Sequence, residues 1–329
     1  MYLPSYKKIN IFTLYILLYI NTFFEMVLKD IFLAVLVTFL WGTNFVAIKL
    51  SLVSFPPFLQ LALRFIFACF PLIFFVKKPN CSKSLIFKFS LLIWICQLSV
   101  IAFALYLGMP AGLCSLLMQT QTIFTVLLSS IFFYYKPKKL ELVGIILAFA
   151  GVSMIALHGR GQFSWITFIL ILFASLSVAM GNLLFKGQNQ KINMLSLIIW
   201  SCLIPPIPMF FTSFIVDGWE AICIACLTFK WSSLLAIIYS SFFATIVATT
   251  SYTYLLEKYE PARIVPFTML TPIFGALAST IILDEKLTQE CFIAATFIMV
   301  GLLINQLSKR IPRQEIFIKG VEDPLKQAA

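Results

Sequence analysis

Ten apolar runs follow one another along the chain, near residues 30–50, 58–76, 86–107, 111–134, 140–157, 164–185, 193–216, 232–256, 261–283 and 289–308. Each holds roughly 18–25 residues, the length at which a helix crosses the hydrocarbon core of a bilayer. Lipid offers no hydrogen-bond partners, so a spanning backbone must satisfy itself as a helix or a closed barrel. Barrel strands alternate apolar and polar residues over short stretches, and these runs do not. The chain is therefore expected to be an all-α polytopic membrane protein with ten transmembrane helices. Composition agrees: 61% of its 329 residues are hydrophobic and only 11% are charged, too few to clothe a soluble domain of this length. Short connections between the runs make neighbouring helices antiparallel and packed together.

The formal net charge of +11 raises the question of nucleic acid. No basic stripe with interleaved aromatics exists outside the apolar runs, so no nucleic-acid partner is expected. The cations collect instead in alternate loops. One set holds Lys77, Lys78, Lys83 and Lys88; then Lys136, Lys138 and Lys139; then Lys186 and Lys191; then Lys258 and Arg263; and finally the tail from Lys309. The opposite loops hold Arg160, Lys230 and Lys286. Cytoplasmic loops are the ones that retain Lys and Arg, which predicts cytoplasmic N- and C-termini. Residues 1–25 stand apart: Lys7 and Lys8 precede a stretch from Ile9 to Phe24 broken by Asn10 and Asn21, with no cleavage site. This N-terminal extension is too short for a span, and translation is expected to start at Met26.

A duplication runs through the chain. "LGMPAGLCSLLMQTQTIFTVLLSSIFFYYKP" in the first half matches "EKYEPARIVPFTMLTPIFGALASTIILDEKL" in the second. Pro110-Ala111 aligns with Pro261-Ala262, Gly151 with Gly301, and, less strongly, Asn44 with Asn182. The halves are expected at 26–158 and 159–308, followed by a basic cytoplasmic tail at 309–329. An odd number of spans per copy makes the second copy enter the membrane from the opposite side. The result is two inverted five-helix repeats around a central cavity, an arrangement that alternating-access transporters use.

Polar groups at membrane depth mark where that cavity is lined, because an unpaired amide in lipid costs several kcal/mol. Trp41 and Asn44 share one face of the first span with Thr38. Arg64 lies inside the second span, Gln97 in the third, Gln119 and Gln121 in the fourth, and Ser175 and Asn182 in the sixth. Thr245, Thr249 and Tyr252 form a stripe on the eighth. For each residue singly an interhelical hydrogen bond is the competing reading. As a set, Trp41, Asn44, Arg64, Gln97, Gln119, Gln121, Asn182 and Tyr252 are the expected substrate-binding residues, suited to a small polar or zwitterionic metabolite. Asn44 and Asn182 would bond the solute from opposite halves, Arg64 would hold a carboxylate or brace the cavity, and Trp41 and Tyr252 would wall it. Lys49, at the end of the first span, reads as an anchor extending to the interface. Pro205, Pro206 and Pro208 interrupt the seventh span, and Pro266 and Pro272 are the expected gating positions of the ninth, because proline removes a backbone donor and bends a helix.

Several chemistries find no support in the residues. No acid sits mid-span to relay protons, and Glu257 is the nearest candidate. No phosphate-binding G-x-x-x-x-G-K-[ST] loop is present, so ATP is not the direct energy source. His158 is the one histidine, and the C-x-x-C of Cys223 and Cys226 has no second pair. No metal site, cofactor or catalytic constellation is expected, which disfavours an intramembrane lipid-modifying enzyme.

The segments "LWGTNFVAIK", "GMPAGLCSLLMQTQTIFT", "LVGIILAFAGV", "YEPARIVPFTMLTPIFG" and "LDEKLT" resemble the EamA-type transporters of the drug/metabolite transporter superfamily, from Met26 to about Lys309. "SLIIWSCLIPPIPMFFTSFIVDG" and "LGMPAG" are most similar to the branch that exports cysteine and O-acetylserine. The resemblance implies a ten-helix exporter of small amino-acid-like metabolites in the bacterial inner (plasma) membrane. Drug or nucleobase efflux is the alternative within the superfamily. Many members carry a first-half acid where this chain has Tyr134 and Tyr135, opposite Asp284 and Glu285 in the second half.

Overall fold

The computed structural model describes residues 26–158, 163–185, 192–286 and 288–310. The expected N-terminal extension, Arg160, Lys186, Lys191 and the tail beyond Arg310 lie outside them. Among the described residues ten helices are long and apolar enough to cross a membrane. They are span 1 (Leu28–Ser51), span 2 (Pro57–Phe74), span 3 (Lys83–Tyr106), span 4 (Ala111–Phe133) and span 5 (Lys139–Leu157). The second half supplies span 6 (Trp165–Leu183), span 7 (Met194–Val216), span 8 (Trp231–Lys258), span 9 (Val265–Leu283) and span 10 (Gln289–Ser308). A shorter apolar helix, Gly218–Thr228, joins spans 7 and 8.

Local chemistry sets the ends of these helices. Ser82, Ser164 and Asn193 open spans 3, 6 and 7, each accepting a backbone N–H of the first turn, from Leu85, Ile166 and Ser196 at 3.1, 3.3 and 3.0 Å. These bonds satisfy donors that a helix start leaves without an internal partner. Span 2 starts on Pro57, whose missing N–H is no loss in a first turn. Within the spans, hydroxyls return to carbonyls three or four residues back, as Thr38 does to Val35 and Thr125 to Gln121. Such side chains bring their own acceptors into lipid and can face it at little cost.

The two halves repeat one another in backbone detail. Spans 3 and 8 each contain a π-helical stretch, Ser90–Cys96 and Tyr239–Val247. Spans 4 and 9 each carry a 3₁₀ stretch, Met118–Thr120 and Val265–Met269. Both then end on a residue in the left-handed region, Tyr134 at φ 52° and Asp284 at φ 54°. The N–H of the next residue reaches the carbonyls of Ser129 and Ser279, in both cases at 3.3 Å. No glycine stands at either position, so the tertiary context holds a conformation that an L side chain ordinarily avoids.

Spans 5 and 10, the last of each half, meet through their glycines. A Cβ on Gly144 would lie 2.5 Å from the carbonyl of Gly301, and one on Gly151 would lie 2.6 Å from that of Ala294. The Lys138 ammonium donates to the Ser308 carbonyl at 3.1 Å. Residues later in span 5 thus meet residues earlier in span 10, so the two helices run antiparallel. Equivalent spans of the two copies cross the molecule in opposite directions, as an inverted repeat requires. Small residues permit this approach of backbones where lipid gives no hydrophobic drive for helices to associate.

Proline interrupts span 7 between Ser201 and Pro206, where the helix stops and restarts. In span 9 Pro266 lies in the 3₁₀ stretch and Pro272 in the first turn of the α-helix after it; both are buried. Both prolines stand where the regular i−4 bonding pattern lapses and a missing donor costs least.

Candidate functional site

The π-helical stretch of span 8 gathers polar groups from spans 1 and 2. Widening the helix by one residue there frees its backbone and hydroxyls to bond sideways. The Trp41 indole N–H donates to the Ala244 carbonyl at 3.2 Å, and the hydroxyls of Thr43 and Tyr239 lie 2.5 Å apart. The Trp41 and Tyr252 rings meet edge to face, with centroids 5.0 Å apart. From span 2, Arg64 donates through Nε and Nη2 to the Thr245 hydroxyl at 3.2 and 2.9 Å. That hydroxyl gives its own proton to the Ser240 carbonyl at 2.8 Å. Ala244 and Thr245 sit at the middle of span 8, so the cluster lies at mid-membrane depth.

This cluster is buried and incompletely satisfied. Asn44 is 8% exposed, Arg64 2% and Gln60 0%. Asn44 Oδ1, Arg64 Nη1, both amide atoms of Gln60, and the Ser240 hydroxyl have no hydrogen-bond partner. An unpaired buried polar atom costs about 1–3 kcal/mol, and more where charge is involved. Such atoms on three adjoining spans call for a partner other than the protein's own groups.

Of the expected binding residues, Trp41, Asn44, Arg64 and Tyr252 lie on the adjoining spans 1, 2 and 8. Gln60 was missed; its position one helical turn before Arg64, on the same face, was the available signal. The other expected binding residues fall elsewhere. Gln119 turns into span 9 and donates to the Thr268 carbonyl at 3.1 Å, while Gln97 and Gln121 are half-buried. Asn182, expected to mirror Asn44, is exposed in the last turn of span 6. Seven residues earlier on the same span, Ser175 is buried and its hydroxyl meets that of Thr120 at 2.7 Å.

Two ion pairs close span 1 against its neighbours, one at each end. At the beginning of span 1, the fully buried carboxylate of Asp30 accepts from the Lys258 ammonium at 2.7 Å and the Tyr259 hydroxyl at 2.6 Å. At the far end Lys49, expected to extend to the interface, instead donates to Glu285 at 2.5 Å. Glu285 also accepts from the backbone N–H groups of Ala111 and Gly112 at 3.0 and 3.3 Å. It therefore caps the N-terminus of span 4, where two free donors and the helix dipole favour an anion. Over the same face, Ile222 and Ala225 of the Gly218–Thr228 helix pack on Phe55, Leu59 and Ile237.

An open surface groove of about 330 Å³ lies apart from this cluster, among Leu116, Pro272, Ala276, Ile281, Phe292 and Met299 of spans 4, 9 and 10. Its lining is almost wholly apolar, and of the expected site residues it includes only Pro272. Cys223 and Cys226 lie on the Gly218–Thr228 helix and are unpaired. Glu257, in the last turn of span 8, is exposed.

A model described as the EamA-like transporter family matches residues 28–157 and 165–306. A protein of Escherichia coli (strain K12) named "Probable amino-acid metabolite efflux pump" is 38% identical over 288 residues, covering 86% of this chain and 96% of that relative. A protein of Salmonella typhimurium with the same name is 36% identical over 291 residues, covering 87% and 97%. A crystal structure that is 14% identical superposes with a TM-score of 0.59 over 87% of this chain and 99% of its own, which establishes likeness of fold.

Proposed function

The chain belongs to the EamA-like transporter family, and from that membership we propose that it exports small amino-acid-like metabolites of the cysteine and O-acetylserine type by alternating access. It is a multi-pass transporter of the bacterial inner membrane. The observation that carries the substrate reading is the buried polar cluster at mid-depth, whose unpaired amide and guanidinium atoms match the groups of a zwitterion. The names of the relatives support the same class of cargo.

In this reading the two repeats, 26–158 and 159–308, rock against one another around the span 1, 2 and 8 cluster. Both termini face the cytoplasm, in keeping with the Lys-rich loops. The Asp30–Lys258–Tyr259 contact then closes the cytoplasmic side, and the Lys49–Glu285 contact at the span 4 N-terminus closes the external side. Each must part in turn for the solute to pass. Trp41 and Tyr252 wall the solute, Asn44 accepts from its ammonium group, and Gln97, Gln121 and Asn182 line the path. The bends of span 9 around Pro266 and Pro272 give it room to move.

The test is overexpression with measurement of the metabolites that accumulate in the medium. Cysteine and O-acetylserine should rise, with increased tolerance of toxic amino-acid analogues; tolerance of cationic dyes alone would point to drug efflux. Asn44→Leu should abolish this export at unchanged abundance in the membrane. Unaltered export by that variant removes Asn44 from the site.

A further inference from the structure

We infer that Gln60 and Arg64 of span 2 form a carboxylate subsite, specific for a monoanion and completed by the solute itself. The inference rests on the exporter reading and names the group by which the cargo is recognised.

A guanidinium offers five N–H donors in a planar fork and does not lose its charge in proteins. Two of Arg64's nitrogens, Nε and Nη2, spend a proton each on Thr245. Thr245 has no further capacity, since its proton goes to Ser240 and its oxygen already accepts twice. The edge formed by Nη1 and the second proton of Nη2 is left over, and Nη1 has no partner although Arg64 is 2% exposed. Two parallel N–H bonds on one edge are the match for a carboxylate. Among the described residues no acid pairs with Arg64.

Gln60 lies one helical turn away on the same face. It is 0% exposed, and both its amide nitrogen and its amide oxygen lack partners. A neutral amide beside one uncompensated positive charge fits a single negative charge. A phosphate dianion would bring one charge too many into a buried site beside a single guanidinium; Lys49 and Lys258, at the two ends of the span 1 contacts, are already paired with acids. Among the described residues the first-half counterpart of this π-helical stretch receives no hydrogen bond from a cation. There Trp94 donates to the Ser201 hydroxyl at 2.7 Å and packs against Phe65 and Phe89. The anion subsite, made where span 2 of one half meets span 8 of the other, therefore is not duplicated by the repeat and gives the pathway a polarity that the repeat alone lacks.

The experiment uses the purified full chain in two assays. In proteoliposomes, export of radiolabelled cysteine is compared with that of its carboxamide. In detergent, the thermal midpoint is followed against millimolar acetate and against acetamide. The parent should prefer the carboxylate at least tenfold and be stabilised by acetate but not by acetamide. Arg64→Gln should lose that preference and the acetate shift, Arg64→Lys should keep part of both, and Gln60→Leu should weaken both several-fold with Arg64 intact. An Arg64→Gln protein that folds and keeps the parent's preference and acetate shift overturns the subsite. Should Arg64→Gln fail to fold, unchanged preference and acetate shift in Gln60→Leu and Arg64→Lys together overturn it. Failure of the exporter reading is separate: cysteine would not move, while acetate would still stabilise the parent and not Arg64→Gln.

Discussion

Glu285 shows how one side chain can tie three elements together. Its carboxylate, 11% exposed, joins the Lys49 ammonium of span 1 to the free N–H groups of Ala111 and Gly112 at the start of span 4. An exposed ion pair alone contributes little, and Lys49 is 29% exposed. The charge-assisted bonds to a helix N-terminus add to it. Glu285→Gln should therefore weaken closure of that face by about 1–2 kcal/mol, or roughly 5–30-fold in the open population. Cys114, 0% exposed one turn into span 4, is the reporter. Its labelling by a membrane-impermeant maleimide should accelerate in the variant, and an unchanged rate would deny Glu285 a role in closing the face. The repeat places Tyr135 where Glu285 stands in the other half, and its hydroxyl donates to Glu141 at 2.8 Å. The absent first-half acid was legible in the sequence. That its partner would bridge to Lys49 was not, because 236 residues separate the two.

At the scale of elements, the crossing of spans 5 and 10 depends on having no side chain at the contact. Gly144 faces the backbone of Gly301 and Asn305, and Gly301 faces the backbone of Ala148. Gly144→Val would place its Cβ 2.5 Å from a carbonyl oxygen that belongs to a helix and has little freedom to retreat. The helices would have to separate, at a cost of about 2–3 kcal/mol. A lowered thermal midpoint in detergent is the expected result. A midpoint equal to the parent's would mean that these helices do not meet as described. The π-helical stretches act differently. In span 8 the inserted residue shifts the helical phase, so the Thr245, Thr249 and Tyr252 stripe seen in sequence does not run down one uninterrupted α-helical face. Thr245 turns to Arg64 while Tyr252 packs on Trp41. A residue count at 3.6 per turn has no means of anticipating that shift.

For the molecule as a whole, the inverted repeat makes a prediction about sidedness. Tyr134 and Asp284 end equivalent spans in the same left-handed conformation, and both are exposed. Single cysteines at these positions, in a chain without its own eight, should be labelled from opposite sides of the membrane. Labelling of both from one side would overturn the inversion. The order of residues along the chain is enough to read the helical class, the ten spans, their duplication and the polar positions on spans 1 and 2. These properties are written locally: an apolar run of sufficient length must close its own hydrogen bonds, and a copied segment keeps its glycines and prolines. Packing in three dimensions is what puts Gln60 on the buried face of Arg64, turns Gln119 to span 9, leaves Asn182 exposed away from Asn44, and brings Lys49 to Glu285. Each depends on helix phase and on which distant helix packs alongside. Among spans of nearly uniform hydrophobicity, the pattern of apolar residues does not fix which face turns inward; close backbone contacts and scarce polar partners do.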